Sequence, residues 1–473
     1  MSDNNITREV DVAIIGAGSA GLFALSQVRR HTENFVLIDG GELGTTCARV
    51  GCMPSKVLIQ VAEDFARRKL FEREGIDGAE ALRVDSEAVM EHVQDLRDVF
   101  VDKTLATTDA LAPGQLIEAH AAFVGADTLQ AGDERIRASS IVIATGSAPI
   151  VPPAWQAFGD RIITTDSFFE LESLPESMAV IGLGIIGLEL GQALNRLGVQ
   201  VTAFDQLTTI AGLRDDAVNR QAIDAIGREM SLHLSEAASI EVEGEKLRVT
   251  AGDNSVVVDK VFVSIGRRPN LDSLALQQAG IETGEHGIPH YDPHSMRIGN
   301  SRIFIAGDVN ADRPLLHEAG HEGRIAGINA ARLARGEDVL GFRRKTPLAI
   351  TFCDPNIATV GARLDELDSD DIVIAELPFG PVSRALMIGK NRGILRLYIN
   401  RADGLLLGAA MACVKGENLA HLLAWSVQQG HTVFDLLKMP YYHPVIEEAL
   451  QAALYSVLGE LEVKQEWVEL EAL

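Results

Sequence analysis

An α/β fold of several domains is predicted by three observations. The apolar run Val12-Ala13-Ile14-Ile15 leads into Gly16-Ala17-Gly18-Ser19-Ala20-Gly21, and a second, Met178-Ala179-Val180-Ile181, leads into Gly182-Leu183-Gly184-Ile185-Ile186-Gly187. The third is the length, 473 residues, which is too much for one core. Each strand, glycine turn and helix has the form of a Rossmann-like dinucleotide-binding domain, in which glycines let a pyrophosphate approach the N–H groups of a helix start. The remainder of the chain reads as a smaller α+β domain.

Taken in order, the first unit continues through Phe35-Val36-Leu37-Ile38 to Asp39. This residue lies twenty-three positions after Gly16, where an acid can accept both hydroxyls of a ribose. Helical stretches follow over 56–68 and 86–111, the second closed by Ala112-Pro113-Gly114. Short strands reach Asp133, and Ile141-Val142-Ile143 exits into the turn Ala144-Thr145-Gly146. Pro152 and Pro153 mark a domain crossing. In the second unit the strand 199–204 ends at Asp205, again twenty-three positions from its first glycine. An acid there, with no basic residue in Gln206-Leu207-Thr208-Thr209-Ile210, favours NAD over a 2′-phosphorylated dinucleotide.

The strand Val261-Phe262-Val263 precedes Gly266-Arg267-Arg268-Pro269-Asn270 and ends the second unit. Ile303-Phe304-Ile305 then runs to Ala306-Gly307-Asp308, with a helix from about Leu315, which reads as a return to the first domain. The expected division is 1–150, 151–271, 272–345 and 346–473, with Arg335-Gly336-Glu337-Asp338 as the last linker. In the final part strands are expected at Ile350-Thr351-Phe352, Ile372-Val373-Ile374 and 395–399, and helices at 417–429 and 446–458. Cys353 and Cys413 read as buried free thiols.

Composition narrows the function. Forty-two basic against sixty-seven acidic residues give a net charge of −25, which opposes nonspecific binding to nucleic acid or anionic lipid. The excess is an ordinary solvated surface or an adaptation to salt. No window is apolar enough to span a membrane, and the polar start Met1-Ser2-Asp3-Asn4-Asn5 lacks the features of a secretory signal. Four cysteines then suit a reducing, cytoplasmic compartment, where a lasting disulfide is catalytic more often than structural. No metal site is expected.

The chemistry centres on Gly44-Thr45-Thr46-Cys47-Ala48-Arg49-Val50-Gly51-Cys52-Met53-Pro54-Ser55-Lys56. Spacing alone allows a redox-active Cys47–Cys52 disulfide or two free cysteines, one of them buried. Five residues of α-helix rise roughly 7.5 Å, more than the ~4.4–6.8 Å between bridged Cα atoms. A bridge therefore requires irregular backbone, which Gly51 makes easier. Pro54 fits the opening of the next helix, which would set the thiols at a positive helix end, where a thiolate is favoured.

This stretch resembles the active site of the flavoprotein disulfide reductases, whose usual form is G-G-T-C-x-N-x-G-C-x-P-S-K, and the landmarks match from about residue 10 to 450. Thr45 and Arg49 depart from the pattern, standing for Gly and Asn. A second stretch, Met439-Pro440-Tyr441-Tyr442-His443-Pro444-Val445-Ile446-Glu447-Glu448, resembles the family's H-P-T-x-x-E, with Val445 in place of Thr. Tyr441 stands where many members have another His. The remaining motifs look most like the dihydrolipoyl dehydrogenase branch.

The resemblance implies FAD held by the first unit, with Ala144-Thr145-Gly146 passing near it and Asp308 bonded to its ribityl chain. The helix from about Leu315 would direct its N-terminus at the flavin ring. It also implies a redox disulfide between Cys47, taken as the more exposed sulfur, and Cys52. Lys56 would pair with Glu189 beside the flavin. His443, oriented by Glu448, would be the acid and base for a substrate thiol, since an imidazole exchanges a proton near neutrality. In the family that histidine serves the neighbouring subunit, so the last domain is expected to dimerise and the protein to be a homodimer with shared active sites. The implied substrate is a dihydrolipoyl group on a protein of a 2-oxo-acid dehydrogenase complex, or a small dithiol. Among rivals on this fold, a glutathione-type enzyme would want basic residues after Asp205. A mercuric reductase would carry a cysteine pair where this chain has Trp467-Val468-Glu469-Leu470-Glu471-Ala472-Leu473. A soluble transhydrogenase would lack the paired thiols, and a quinone-reducing relative or a noncatalytic flavoprotein scaffold would be told apart by assay.

Overall fold

The computed structural model describes residues 6–284 and 286–471, so the polar start and Ala472-Leu473 lie outside the described residues. Strand β1 (Arg8–Ile15) is buried along most of its length, runs into helix α1 (Ser19–Val28), and pairs in parallel with β2 (Phe35–Asp39). Helices α2 (Thr46–Val50), α3 (Cys52–Ala66) and α4 (Ser86–Asp109) follow, packed on one another. Strands β3 (Leu116–Glu118), β4 (Ala121–Gly125) and β5 (Thr128–Ala131) then lead to β6 (Glu134–Ile143). The sequence reading expected only the last three residues of β6 as a strand. The structure has one ten-residue strand whose first part pairs antiparallel with β5 and which pairs in parallel with β1 from Ile136 to Ile143.

The chain crosses to a second sheet through β7 (Ser147–Pro149), α5 (Pro153–Gln156), β8 (Ile162–Ile163) and α6 (Thr165–Phe168). There β9 (Ser177–Ile181), α7 (Ile185–Leu197) and β10 (Gln200–Asp205) repeat the strand–glycine–helix–strand unit, followed by α8 (Asp216–Gly227) and β11 (Ser231–Leu234). Three antiparallel strands that the sequence reading passed over come next: β12 (Ser239–Glu243), β13 (Lys246–Ala251) and β14 (Asn254–Val258). They bury Leu247, Val249 and Ala251, the alternate residues of β13, against the second sheet. Strand β15 (Lys260–Val263) completes that sheet, in the order β11-β10-β9-β15-β8, and β16 (Arg267–Pro269) pairs back with β7.

Strand β17 (Ile303–Ile305) then joins the first sheet beside β6. Helix α9 (Leu316–Ala334) packs on α1 so closely that a side chain at Gly323 or Gly327 would strike the carbonyl of Ala20 or Ala24, at 2.2 and 2.4 Å. The last part is an antiparallel sheet of β18 (Leu348–Thr351), β19 (Asn356–Gly361), β20 (Ile372–Pro378), β21 (Ile394–Asn400) and β22 (Leu406–Cys413), in the order β18-β19-β22-β21-β20. Helices α10 (Ser383–Met387), α11 (Gly416–Gln429), α12 (Val433–Leu437) and α13 (Glu448–Ser456) accompany it. Cys353 and Cys413 are buried and free, and burial pushes both thiols up. Among the described residues no helix is long and apolar enough to cross a membrane.

Registers set the strand ends level. Ile15 lies opposite Ile38 and Ile143, and Ile143 opposite Ile305, so the loops after β2, β1, β6 and β17 open at one edge. In the second sheet Ile181 lies opposite Phe204 and Val263. Both crevices therefore stand at the carboxyl ends of parallel strands, the usual ligand side of such sheets.

The second and third units are joined by Asp215. It caps α8 through Ala217 and Val218 N–H, accepts the Tyr398 hydroxyl at 2.8 Å, and pairs with Arg396 at 2.6 Å. Its side chain is almost wholly buried, so Asp215→Ala uncaps α8 and leaves Arg396 with only the partly exposed Glu376 as a carboxylate partner, and is expected to cost about 3 kcal/mol. A urea titration followed by far-UV circular dichroism should show the lower midpoint.

Candidate active site

At the first glycine turn, a side chain on Gly16 would meet Ala144 O at 2.3 Å and one on Gly21 would meet Gly16 O at 1.8 Å, whereas Gly18 faces nothing within 4 Å. The second turn repeats this: Gly182 faces Ser264 O at 2.4 Å, Gly187 faces Gly182 O at 1.9 Å, and Gly184 opens onto space. The outer glycines of each trio thus let strand and helix approach, and the middle one leaves room for a ligand against the first turn of α1 or α7. Neither helix start carries a side-chain cap or an acid, so its N–H groups remain available to an anion. These residues fit two dinucleotides.

The acids at the strand ends are already engaged by backbone. Asp39 accepts from Ala17 N at 2.5 Å and Gly41 N at 2.7 Å, and Asp205 from Leu183 N at 2.6 Å and Leu207 N at 2.8 Å. Each oxygen keeps a further lone pair for a ribose hydroxyl. Thr145 donates to Asn270 O at 2.7 Å and Asn270 returns a bond to Thr145 O at 3.0 Å, which locks the Ala144-Thr145-Gly146 turn to the turn after Gly266. Asp308 accepts from Ser147 Oγ at 3.2 Å, and Ser147 accepts from Arg267. One support, Glu322 with its partner Arg344, has no local signal in the sequence. Glu322, fully buried, accepts from Gly307 N and Asn310 and pairs with Arg344, holding the Gly307-Asp308 turn. Burial raises its carboxyl despite these bonds.

The thiol stretch is two helices broken at Gly51, whose φ of −131° and ψ of −125° are non-helical, so the irregular backbone expected there is present. A side chain on Gly51 would lie 2.8 Å from Thr46 O and 3.1 Å from Cys47 Cα, so only glycine lets the turns close over one another. The regular helix opens at Cys52, two residues earlier than expected, with Pro54 in its first turn, where a missing N–H costs nothing. Thr45 sits at φ 64°, a costly conformation for a β-branched residue, and its hydroxyl caps Ala48 N. Arg49 pairs with Glu42.

Both thiols are free. Each acts chiefly on the other: the neighbouring Cys52 raises the Cys47 thiol, and Cys47 holds Cys52 down to about 7; Lys56 also favours the Cys52 thiolate, while burial and Glu189 oppose it. The expected order of exposure is reversed: Cys52 is exposed and Cys47 partly covered, because α2 is packed under α3 and α4 whereas Cys52 is the first residue of α3.

Lys56, one turn beyond Cys52, pairs with Glu189 of α7 at 2.7 Å. Glu189 is 3 % exposed, and its other oxygen accepts from Phe352 N at 2.8 Å. The Phe352 ring lies 4.8 Å from the Lys56 ammonium. Phe352 had no local signal, since its partners are 163 and more positions away.

His443 Nδ1 meets Glu448 Oε1 at 2.8 Å, and Glu448 Oε2 accepts from Val445 N at 3.0 Å. These two bonds hold the Glu448 carboxyl below its usual range. Because the backbone N–H at 445 does the positioning, Val there keeps the arrangement. The Tyr441 hydroxyl donates to Leu436 O, and burial pushes it up to about 12. The His443 side chain is 75 % exposed, and among the described residues no hydrogen bond or ion pair joins it to the thiols of its own chain.

Fold and site together are those of a redox protein that couples a thiol pair to nucleotide cofactors. Residues 10–330 match the pyridine nucleotide-disulphide oxidoreductase family and residues 348–454 its dimerisation domain. The chain belongs to this family of flavoprotein disulfide oxidoreductases, whose cofactors are FAD and NAD. It is 29% identical to a dihydrolipoyl dehydrogenase of Geobacillus stearothermophilus, over 95% of this chain and 97% of that one. It is 28% identical to one of Halobacterium salinarum, over 97% and 98%. The crystal structure of LpdA from Mycobacterium tuberculosis has a TM-score of 0.81 at 25% identity, covering 96% of this chain and 100% of that one. The Cu(II) complex of the HOCl-induced flavoprotein disulfide reductase RclA from Escherichia coli shares the fold, with a TM-score of 0.81 at 21% identity and coverage of 95% and 99%.

The two kinds of glycine should separate experimentally. Gly21→Ala is expected to abolish soluble folded protein, whereas Gly18→Ala should fold with a near-native melting curve and lose bound flavin on gel filtration.

Proposed function

We propose that the protein oxidises a dithiol and reduces NAD through a Cys47–Cys52 redox disulfide, with a dihydrolipoyl group as its substrate. The observation that carries this reading is the pair of thiols on either side of the Gly51 break, the second of them at the start of α3 one turn from the Lys56–Glu189 pair. Dihydrolipoyl dehydrogenases among its relatives support the choice of dithiol. The cytoplasm, with its reducing poise, suits a disulfide that opens at each turnover.

In the working cycle the partner subunit's His443 takes a proton from one substrate thiol, and Glu448 keeps that imidazole oriented. The substrate thiolate attacks Cys47 Sγ of the disulfide, forming a mixed disulfide and releasing Cys52 as a thiolate. The second substrate thiol then attacks the substrate sulfur of that mixed disulfide, expels Cys47 as a thiol and leaves as the oxidised cyclic disulfide. Two electrons now reside on the Cys47–Cys52 pair, and FAD supplies their passage to NAD. Gly16, Gly18, Gly21, Asp39, the Ala144-Thr145-Gly146 turn and Asp308 would hold FAD. Gly182, Gly184, Gly187, Asp205 and Gly266 would line the NAD site. Lys56 and Glu189 govern the charge that faces Cys52. A lipoyl-bearing protein presents its dithiol on a long flexible arm, which an enzyme with its histidine on a neighbouring subunit can admit between the two chains.

Two measurements test this. Cys52→Ser should retain flavin yet lose dihydrolipoamide-dependent NADH formation, and unchanged turnover would refute the relay. Co-expressing Cys52→Ser with His443→Gln should restore about a quarter of wild-type activity, since half of randomly paired dimers hold one complete site of two. A mixture as inactive as its parents would refute the shared site.

A further inference from the structure

The Lys56–Glu189 pair is held from a third side. Phe352, just past the end of β18, bonds Glu189 through its N–H and seats its ring by Lys56. The strap that carries it, from 352 to 354, is tied to α7 by residues on one stripe of that helix. Gln192 donates to Asp354 O and accepts from Asp354 N, both at 2.8 Å. Arg196 pairs with the Asp354 carboxylate at 3.0 Å, as does Lys390 from the loop before β21. Gln192 and Arg196 are buried, and with Glu189 they follow the three- and four-residue steps of a helix face. A cavity of about 420 Å³ lies alongside, lined in part by Gln192, Phe352 and Asp354. Cys353 anchors the middle of the strap in the core, while its flanks at Phe352 and Asp354 border the cavity and are held by polar bonds.

We propose that Gln192 and Asp354 are positioning residues of the redox site: by tying the strap to α7 they keep Phe352 against Glu189 and Lys56, and so set the charge facing Cys52. The proposal rests on the function argued above. The titratable groups acting on Cys52 are Cys47 from α2, Lys56 from its own helix and Glu189 from α7. With the strap released, Glu189 loses the N–H that shares its charge and Lys56 loses its seat. Both changes disfavour the Cys52 thiolate.

The test is the equilibrium between disulfide and dithiol at Cys47 and Cys52 in glutathione buffers, using the intact holoenzyme, acid-quenched and read by mass. Reduction consumes two glutathione thiols and yields one glutathione disulfide. It releases a proton above the ionisation of Cys52 and none below, so a break in its pH dependence between about pH 5 and 8.5 marks that ionisation. Gln192→Leu keeps the side chain's bulk and removes both bonds; Asp354→Asn keeps the strap backbone and weakens its ties to Arg196 and Lys390. Relative to the wild type, the break should rise by at least ~0.5 unit in Gln192→Leu and by less in Asp354→Asn, with flavin still bound. A break unmoved in both, whatever happens to thermal stability, overturns the proposal; if Gln192→Leu does not fold, Asp354→Asn decides alone. A wild-type chain whose Cys47 and Cys52 never bridge in these buffers overturns instead the function on which the proposal stands.

Discussion

Glu189 is the residue on which the three sheet systems converge. It stands on α7 beside the second sheet, pairs with Lys56 on a helix of the first unit, and accepts a backbone N–H from the last. A carboxylate this deeply buried is tolerated only because both oxygens have partners. Removing one would leave a charge in the interior at a cost of about 3 kcal/mol. The same bonds that stabilise the assembly of units therefore fix the charge beside the thiols, and architecture and reactivity cannot be varied separately at this point.

Around that anchor, the geometry is largely a matter of level strand ends. Because Ile38, Ile15, Ile143 and Ile305 lie side by side, four loops that are far apart in sequence meet at one edge. Backbone groups do most of the shaping: glycines permit the approach, the Thr145–Asn270 exchange locks two turns, and Glu322 satisfies the N–H of Gly307.

Much of this was legible in the sequence where the physics is local. Gly16, Gly18, Gly21 and Asp39 announce themselves by spacing, because strand, turn and helix must follow in a fixed rhythm, and the same holds from Gly182 to Asp205. Gly51 could be read as a break because five helical residues cannot bring two bridged cysteines together. Long-range contacts were not legible: Phe352 and Asp354 meet α7 only after two other units have folded, and nothing around them in sequence says so. Strand β22, rich in Gly and Ala, lacks the β-branched residues that mark a strand. The exposure of Cys47 and Cys52 was inverted because it depends on how α4 covers α2, which no spacing encodes.

The return of β17 and α9 to the first sheet has a consequence for how the chain is made. A ribosome emits β1 to β6 early, but their seventh partner, Ile303–Ile305, and the helix that rests on α1, which ends at Ala334, emerge only after the whole second unit. The intervening unit, contiguous from 177 to 263, can fold while it waits. During translation the first unit thus closes only after the second has been made, with the apolar faces of β6 and α1 bare in the interval. A nascent chain stalled before residue 334 would be a natural client for chaperones, although every residue of its thiol stretch has already been synthesised.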